Sequence, residues 1–158
     1  ITRRVSHALL AEPAVSLALR KTKSFPIGLI APELHRGADL QQEWGRAFNQ
    51  QPRLPQAGIA AVGTLRQQPQ VLAAVTKAYA QSLAWCHAQP LQCGALMAKH
   101  IDLLTPADAA DAISVSQLDA LPAARARPEL EFFFNQLMAR NPALVGGKLP
   151  AEAFYGPL

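Results

Sequence analysis

The chain has 158 residues, half of them apolar and 16% charged, with a formal net charge of +4 at pH 7. This is the size and composition of one ordinary globular domain, or of parts of two small lobes, and excludes a disordered or low-complexity chain. Basic residues are dispersed apart from Arg3-Arg4 and Arg20-Lys21-Lys23 without interleaved aromatics, which argues against nucleic acid as a partner, and no apolar run approaches the roughly 18–20 residues a bilayer span needs. No secretory leader is recognisable, and the opening Ile1-Thr2 is the start expected of a mature secreted protein or of a fragment of a longer one.

In chain order, Val5 to Ala11 reads as a short apolar strand that turns directly into a helix over 13–23, with Pro13 at its first position, where a missing N–H costs nothing. The first turn of such a helix carries free N–H groups and a partial positive charge, which suits a polar or anionic ligand group. In open α/β folds ligands sit just beyond the carboxyl ends of strands, so residues 11–16 are the first candidate site. Residues 27–31 read as a second short strand bounded by Pro32. Asp39 is the expected N-cap of a helix from Leu40 to about Phe48. A polar loop over 49–56 leads to a buried strand over 57–62.

The second half reads as helical. Thr64 to Gln67 has capping-box spacing. From Pro69 to Ala88, Leu72, Val75, Tyr79, Leu83 and Cys86 fall on one face. Gln89-Pro90 ends that helix and starts another, and Thr105-Pro106 caps the next. A last helix is expected from Pro128, with Leu130, Phe133, Phe134, Leu137 and Met138 as its buried stripe and Asn141-Pro142 as its stop.

Cys86 and Cys93 are the only cysteines and flank the Gln89-Pro90 turn, across which their side chains can meet. In an oxidising compartment two readings stand open, a bridge or two buried thiols that pack as small hydrophobes. His7, His35, His87 and His100 are scattered, with no metal-ligand spacing, and no nucleophile elbow, P-loop or dinucleotide fingerprint occurs. Asp108 and Asp111 share a helix face and read as a solvated pair, not an acid/base couple. Trp44 and Trp85 lie on apolar helix faces and suit core packing better than a solute wall. The expectation is therefore no catalytic residue, no metal and no cofactor.

The organisation is lopsided: a few short strands followed by a helix-rich second half. Such strands are poorly stabilised alone, which points to the C-terminal part of a larger α/β protein. At this level the chain resembles a known family. The segments Leu9-Leu10-Ala11-Glu12-Pro13-Ala14, Asp39-Leu40-Gln41-Gln42-Glu43-Trp44 and Pro52-Arg53-Leu54-Pro55-Gln56-Ala57-Gly58 occur in order. The long helix ending Ala84-Trp85 follows, then Ala126-Arg127-Pro128-Glu129-Leu130 with Phe133-Phe134, and Gly146-Gly147-Lys148-Leu149-Pro150 with Phe154-Tyr155. Together they resemble the C-terminal half of solute-binding proteins of the nitrate/sulfonate/taurine-type ABC importers, whose superfamily includes the thiamine-pyrimidine-precursor binders.

The resemblance implies an α/β chain forming the C-terminal part of a type II periplasmic-binding fold. Residues 1–63 would complete the second lobe and approach the hinge, and 64–158 would be helices of the first lobe. It implies a binding protein, not an enzyme, that captures a small organic solute in an inter-lobe cleft and delivers it to an ABC permease. Its compartment would be periplasmic or secreted, with a lipid anchor in a full-length form. Glu12, Pro13 and Ala14 would meet the solute at the helix start, or Glu12 would only complement that helix end; Gln56 would either project into the cleft or be a plain loop residue. Unpaired strand edges offer a route to a homodimer. Two other readings are an enzyme of the same superfamily that makes a thiamine pyrimidine precursor, which needs an active-site histidine and iron, and a sensor or interaction domain that borrowed the fold.

Overall fold

The computed structural model describes residues 5–156; Ile1-Thr2 and the Arg3-Arg4 cluster lie outside them. Six α-helices follow one another: α1 (Ala14–Lys23), α2 (Leu40–Phe48), α3 (Pro69–Ala88), α4 (Pro90–Met97), α5 (Pro106–Val115) and α6 (Ala123–Arg140). Single 3-10 turns occupy Ile27–Leu29, Gly63–Gln67, Pro142–Val145 and Glu152–Phe154.

Among the described residues there is no strand and no sheet, which overturns the expected α/β class and type II periplasmic-binding architecture. Residues 57–62 and most of 5–11 are irregular, with no ladder. Residues 27–31 close on themselves instead: Ile30 N–H and Ala31 N–H both donate to the Ile27 carbonyl, at 3.0 and 2.8 Å. Apolar β-prone residues make a strand only when a second strand supplies the other half of each hydrogen bond. With no strand edge present, the expected edge-to-edge route to a homodimer loses its basis.

The helices obey their local signals. Asp39 caps α2 by accepting from Gln41 N–H at 2.9 Å, and Asn49 ends it in the left-handed conformation at φ 51°. Thr105 and Asp108 form a reciprocal capping box at the start of α5, with Pro106 at its first position. The box expected at Thr64–Gln67 does not form; that segment is a 3-10 turn without a side-chain cap. α1 begins one residue late, with Pro13 as its N-cap. α6 begins at Ala123, five residues before Pro128, because Ala123-Ala124-Arg125-Ala126-Arg127 are strong helix formers and Pro128 forfeits only one bond near the helix start. Asn141 ends α6 as expected.

The chain divides into two compact units. One comprises Ile1–Ala38 and Ala73–Leu118, the other Asp39–Leu72 and Asp119–Leu158. In the first unit α4 and α5 form the tightest helix pair, and α1 packs on α5. Their shared core is made of small residues: Cys93, Ala109, Ala110, Ala112 and Ile113 are buried beside Leu104. Gly94 lets the backbones approach, since a Cβ there would lie 2.3 Å from the Pro106 carbonyl oxygen. Cys86 and Cys93 are joined by a disulfide. Closing so short a loop is worth about 2–3 kcal/mol in the chain-entropy account.

The second unit is held by aromatic rings. Trp44 lies 4.4 Å from Phe48, 5.8 Å from Phe132 and 5.7 Å from Phe133, centroid to centroid. Phe134, Phe154 and the buried Tyr155 continue the chain of ring contacts. The Arg127 guanidinium stacks 4.7 Å above the Tyr155 ring and donates to Glu131 and Glu152, fastening the C-terminal turn to α6. Burial and the nearby Glu131 push the Tyr155 hydroxyl above its ordinary pKa.

Candidate functional site

The start of α1 carries the densest polar array of the first unit. Glu12 sits one residue before the Pro13 N-cap, so its carboxylate folds back over the first turn. Its Oε2 accepts from Ser16 N–H at 3.1 Å and from the Ser16 hydroxyl at 2.7 Å. The Ala14 and Val15 N–H groups donate to the Ala11 carbonyl at 2.9 and 3.3 Å. The first-turn N–H groups at 14–16 are thus satisfied within the chain, and Glu12 complements the helix end.

The opposite edge of Glu12 meets Arg36. Arg36 Nε and Nη2 donate to Glu12 Oε1 at 3.2 and 3.0 Å. Nη2 also donates to Ser16 Oγ at 2.9 Å and to Asp111 Oδ2 at 2.7 Å. The guanidinium is fixed by three partners, yet the Arg36 side chain keeps 39% of its surface exposed. The Arg36 pKa is shifted upward, led by its hydrogen bond to Asp111, opposed by partial burial and reinforced by Glu12. In return the Arg36 hydrogen bond, then Ser16, hold Asp111 below the ordinary carboxylate range.

One turn earlier on α5, Asp108 is completely buried. It accepts from the Thr105 hydroxyl at 2.6 Å and from Arg20 Nε. Burial alone would raise its pKa, but the bonds from Thr105 and Arg20 win and the net shift is downward. The i and i+3 placement of Asp108 and Asp111 on α5 therefore presents two carboxylates to two arginines, Arg20 from α1 and Arg36 from the following loop. The solvated pair expected from the sequence is instead a paired, partly buried network. Its cue was available in the Thr105-Pro106-Ala107-Asp108 box, which commits Asp108 to the helix start; Arg20 and Arg36, 88 and 75 residues from their partners, gave no such cue.

Of the other candidates, Pro13 is half-buried and Ala14 exposed at the same helix start. Gln56 belongs to the second unit, in an exposed irregular stretch. The structure thus brings Glu12, Pro13 and Ala14 together with Ser16, Arg36 and Asp111, and does not group Gln56 with them inside either unit. Within the second unit, Trp44, Gln50, Gln51, Arg53, Glu129 and Phe132 line a shallow, solvent-open recess. Trp44 does pack in the aromatic core, as its helix face indicated, while also reaching this recess; Trp85 is 42% exposed. Arg53 spans the recess rim through Asp119 at 3.2 Å and Glu129 at 4.0 Å.

Among the described residues no group of three or more histidines, cysteines, aspartates or glutamates is placed to hold a metal ion. Among the described residues no helix is long and apolar enough to cross a membrane. No protein-family model, curated protein or solved structure matches the chain.

Proposed function

We propose that the chain is the solute-capturing component of an ABC importer, binding a small organic solute without turning it over and passing it to a permease. The observation that carries the reading is the Arg36 array: a guanidinium held by Glu12, Ser16 and Asp111, yet well exposed, at the helix start where the family resemblance locates solute contact. A charge oriented in advance by its neighbours loses little freedom when a solute binds. The Cys86–Cys93 disulfide supports a periplasmic or secreted location, since such bridges persist in oxidising compartments.

The test is a thermal-shift and calorimetric screen of nitrate, methanesulfonate, taurine and a hydroxymethylpyrimidine. A true solute at a hundred times its Kd stabilises the folded chain by about 2.7 kcal/mol. Arg36→Ala and Glu12→Gln should each weaken that binding at least tenfold. A screen in which no compound shifts the midpoint, or in which Arg36→Ala binds as well as the parent, overturns the proposal.

A further inference from the structure

The two ends of the disulfide are secured very differently. Cys93 lies in α4, which packs closely on α5 through Gly94 and the buried alanines, contacts that do not involve the disulfide itself. Cys86 lies in the last turn of α3, whose residues from Tyr79 onward are exposed or only half-buried. A single residue, Gln89, separates the two helices. Besides the disulfide and the backbone bond from Gln89 N–H to the Trp85 carbonyl, the end of α3 carries an exposed side-chain bond, His87 Nε2 to the Leu118 carbonyl at 3.2 Å. The two cysteines also differ in burial: residue Cys93 is 4% exposed, whereas Cys86 is half-buried.

We propose that the Cys86–Cys93 bond is the tether holding the end of α3 on α4, and that Cys86 is the sulfur at which a dithiol opens it. One thiolate of the dithiol attacks Cys86 Sγ; the S–S bond breaks and its electron pair leaves on Cys93 Sγ, which takes up the proton released by that thiol. The second thiol then attacks the mixed disulfide, giving its proton to Cys86 and closing the reagent into a cyclic disulfide. Both cysteines end as thiols and the dithiol is oxidised by two electrons. Exchange of this kind requires an accessible sulfur, which selects Cys86 over Cys93.

Two measurements on the unmodified chain test this. Hydrogen–deuterium exchange with and without dithiothreitol should show amides of residues 82–89 exchanging at least tenfold faster after reduction, while those of 109–113 in α5 change less than twofold. Brief exposure to 2-mercaptoethanol, quenched by alkylation and mapped by peptide mass, should place the adduct on Cys86 at least tenfold more often than on Cys93. Equal acceleration in α5 would make the bridge a staple of the whole unit, and no acceleration anywhere would mean α3 is held by other contacts; either result overturns the tether. An adduct found mainly on Cys93 overturns the assignment of the entry sulfur.

Discussion

Replacing Gly94 by alanine should destabilise the first unit, against the helix preference of the new residue. Alanine is favoured over glycine in a helix interior by about 1 kcal/mol, so local propensity alone predicts stabilisation. The tertiary contact predicts the reverse. The new Cβ would lie 2.3 Å from the Pro106 carbonyl oxygen and 3.2 Å from both the Ala109 Cβ and the Ala110 nitrogen. These are backbone and core atoms of α5 with no rotamer to yield, so the two helices must separate. Overpacking of this kind costs about 1–3 kcal/mol, and a backbone obstacle places the cost at the upper end. The net loss is then about 2 kcal/mol, equivalent to a fall in Tm of roughly 4–8 °C for a chain of this length. The assay is thermal unfolding followed by circular dichroism at 222 nm, with Gly37→Ala as control. A Cβ at Gly37 meets nothing within 4 Å, and its substitution should leave the midpoint nearly unchanged. A Gly94→Ala midpoint equal to or above that of the parent would refute the close-packed α4–α5 interface.

Asp108→Ala removes the capping box and the partner of Arg20 together. Because the Arg20 side chain is 48% exposed and regains water, the loss should be about 1–3 kcal/mol, less than for a fully buried pair, by urea unfolding. Acid should have a matching effect. Asp108 and Asp111 titrate below the ordinary carboxylate range when folded, so their contribution is present above a pH of about 4 and is lost as pH falls through the depressed values. Midpoints measured from pH 7 to 2.5 should stay level and then drop below about pH 4, with a shallower drop in the Asp108→Asn and Asp111→Asn double variant; a parent curve that does not fall in acid would contradict this. Trp44→Ala should cost about 2–3 kcal/mol in the second unit because it strips three ring contacts, whereas Trp85→Ala, on a half-exposed ring, should cost less than 1 kcal/mol by the same unfolding assay.

Helix limits were legible from the residues alone at Asp39, Pro69, Pro90, Pro106 and Asn141, since caps and prolines act on hydrogen bonds four residues away or fewer. The range 11–16 singled out from the sequence takes in Glu12 and Ser16 of the polar array, but Asp111 was read apart from them and Arg36 was not named. Three apolar runs, at 5–11, 27–31 and 57–62, carried a strand signal that came to nothing, because a strand's bonds are completed by a partner whose identity is not written in the run itself. The same distance separates reading from structure at the charged residues. Asp108 could be assigned to a helix start, but its burial under Arg20 and the meeting of Arg36 with Glu12 and Asp111 depended on helices packing across dozens of intervening residues. Cys86 and Cys93 stood between the two cases: their spacing allowed a bridge, and the bend at Gln89 brought the Cα atoms to 5.1 Å. Sequence alone determined which stretches coil, because that is decided within a turn. Tertiary structure decided which charges are buried, which of the two cysteines is buried and which apolar runs go unpaired, because each of those needs a neighbour from elsewhere in the chain.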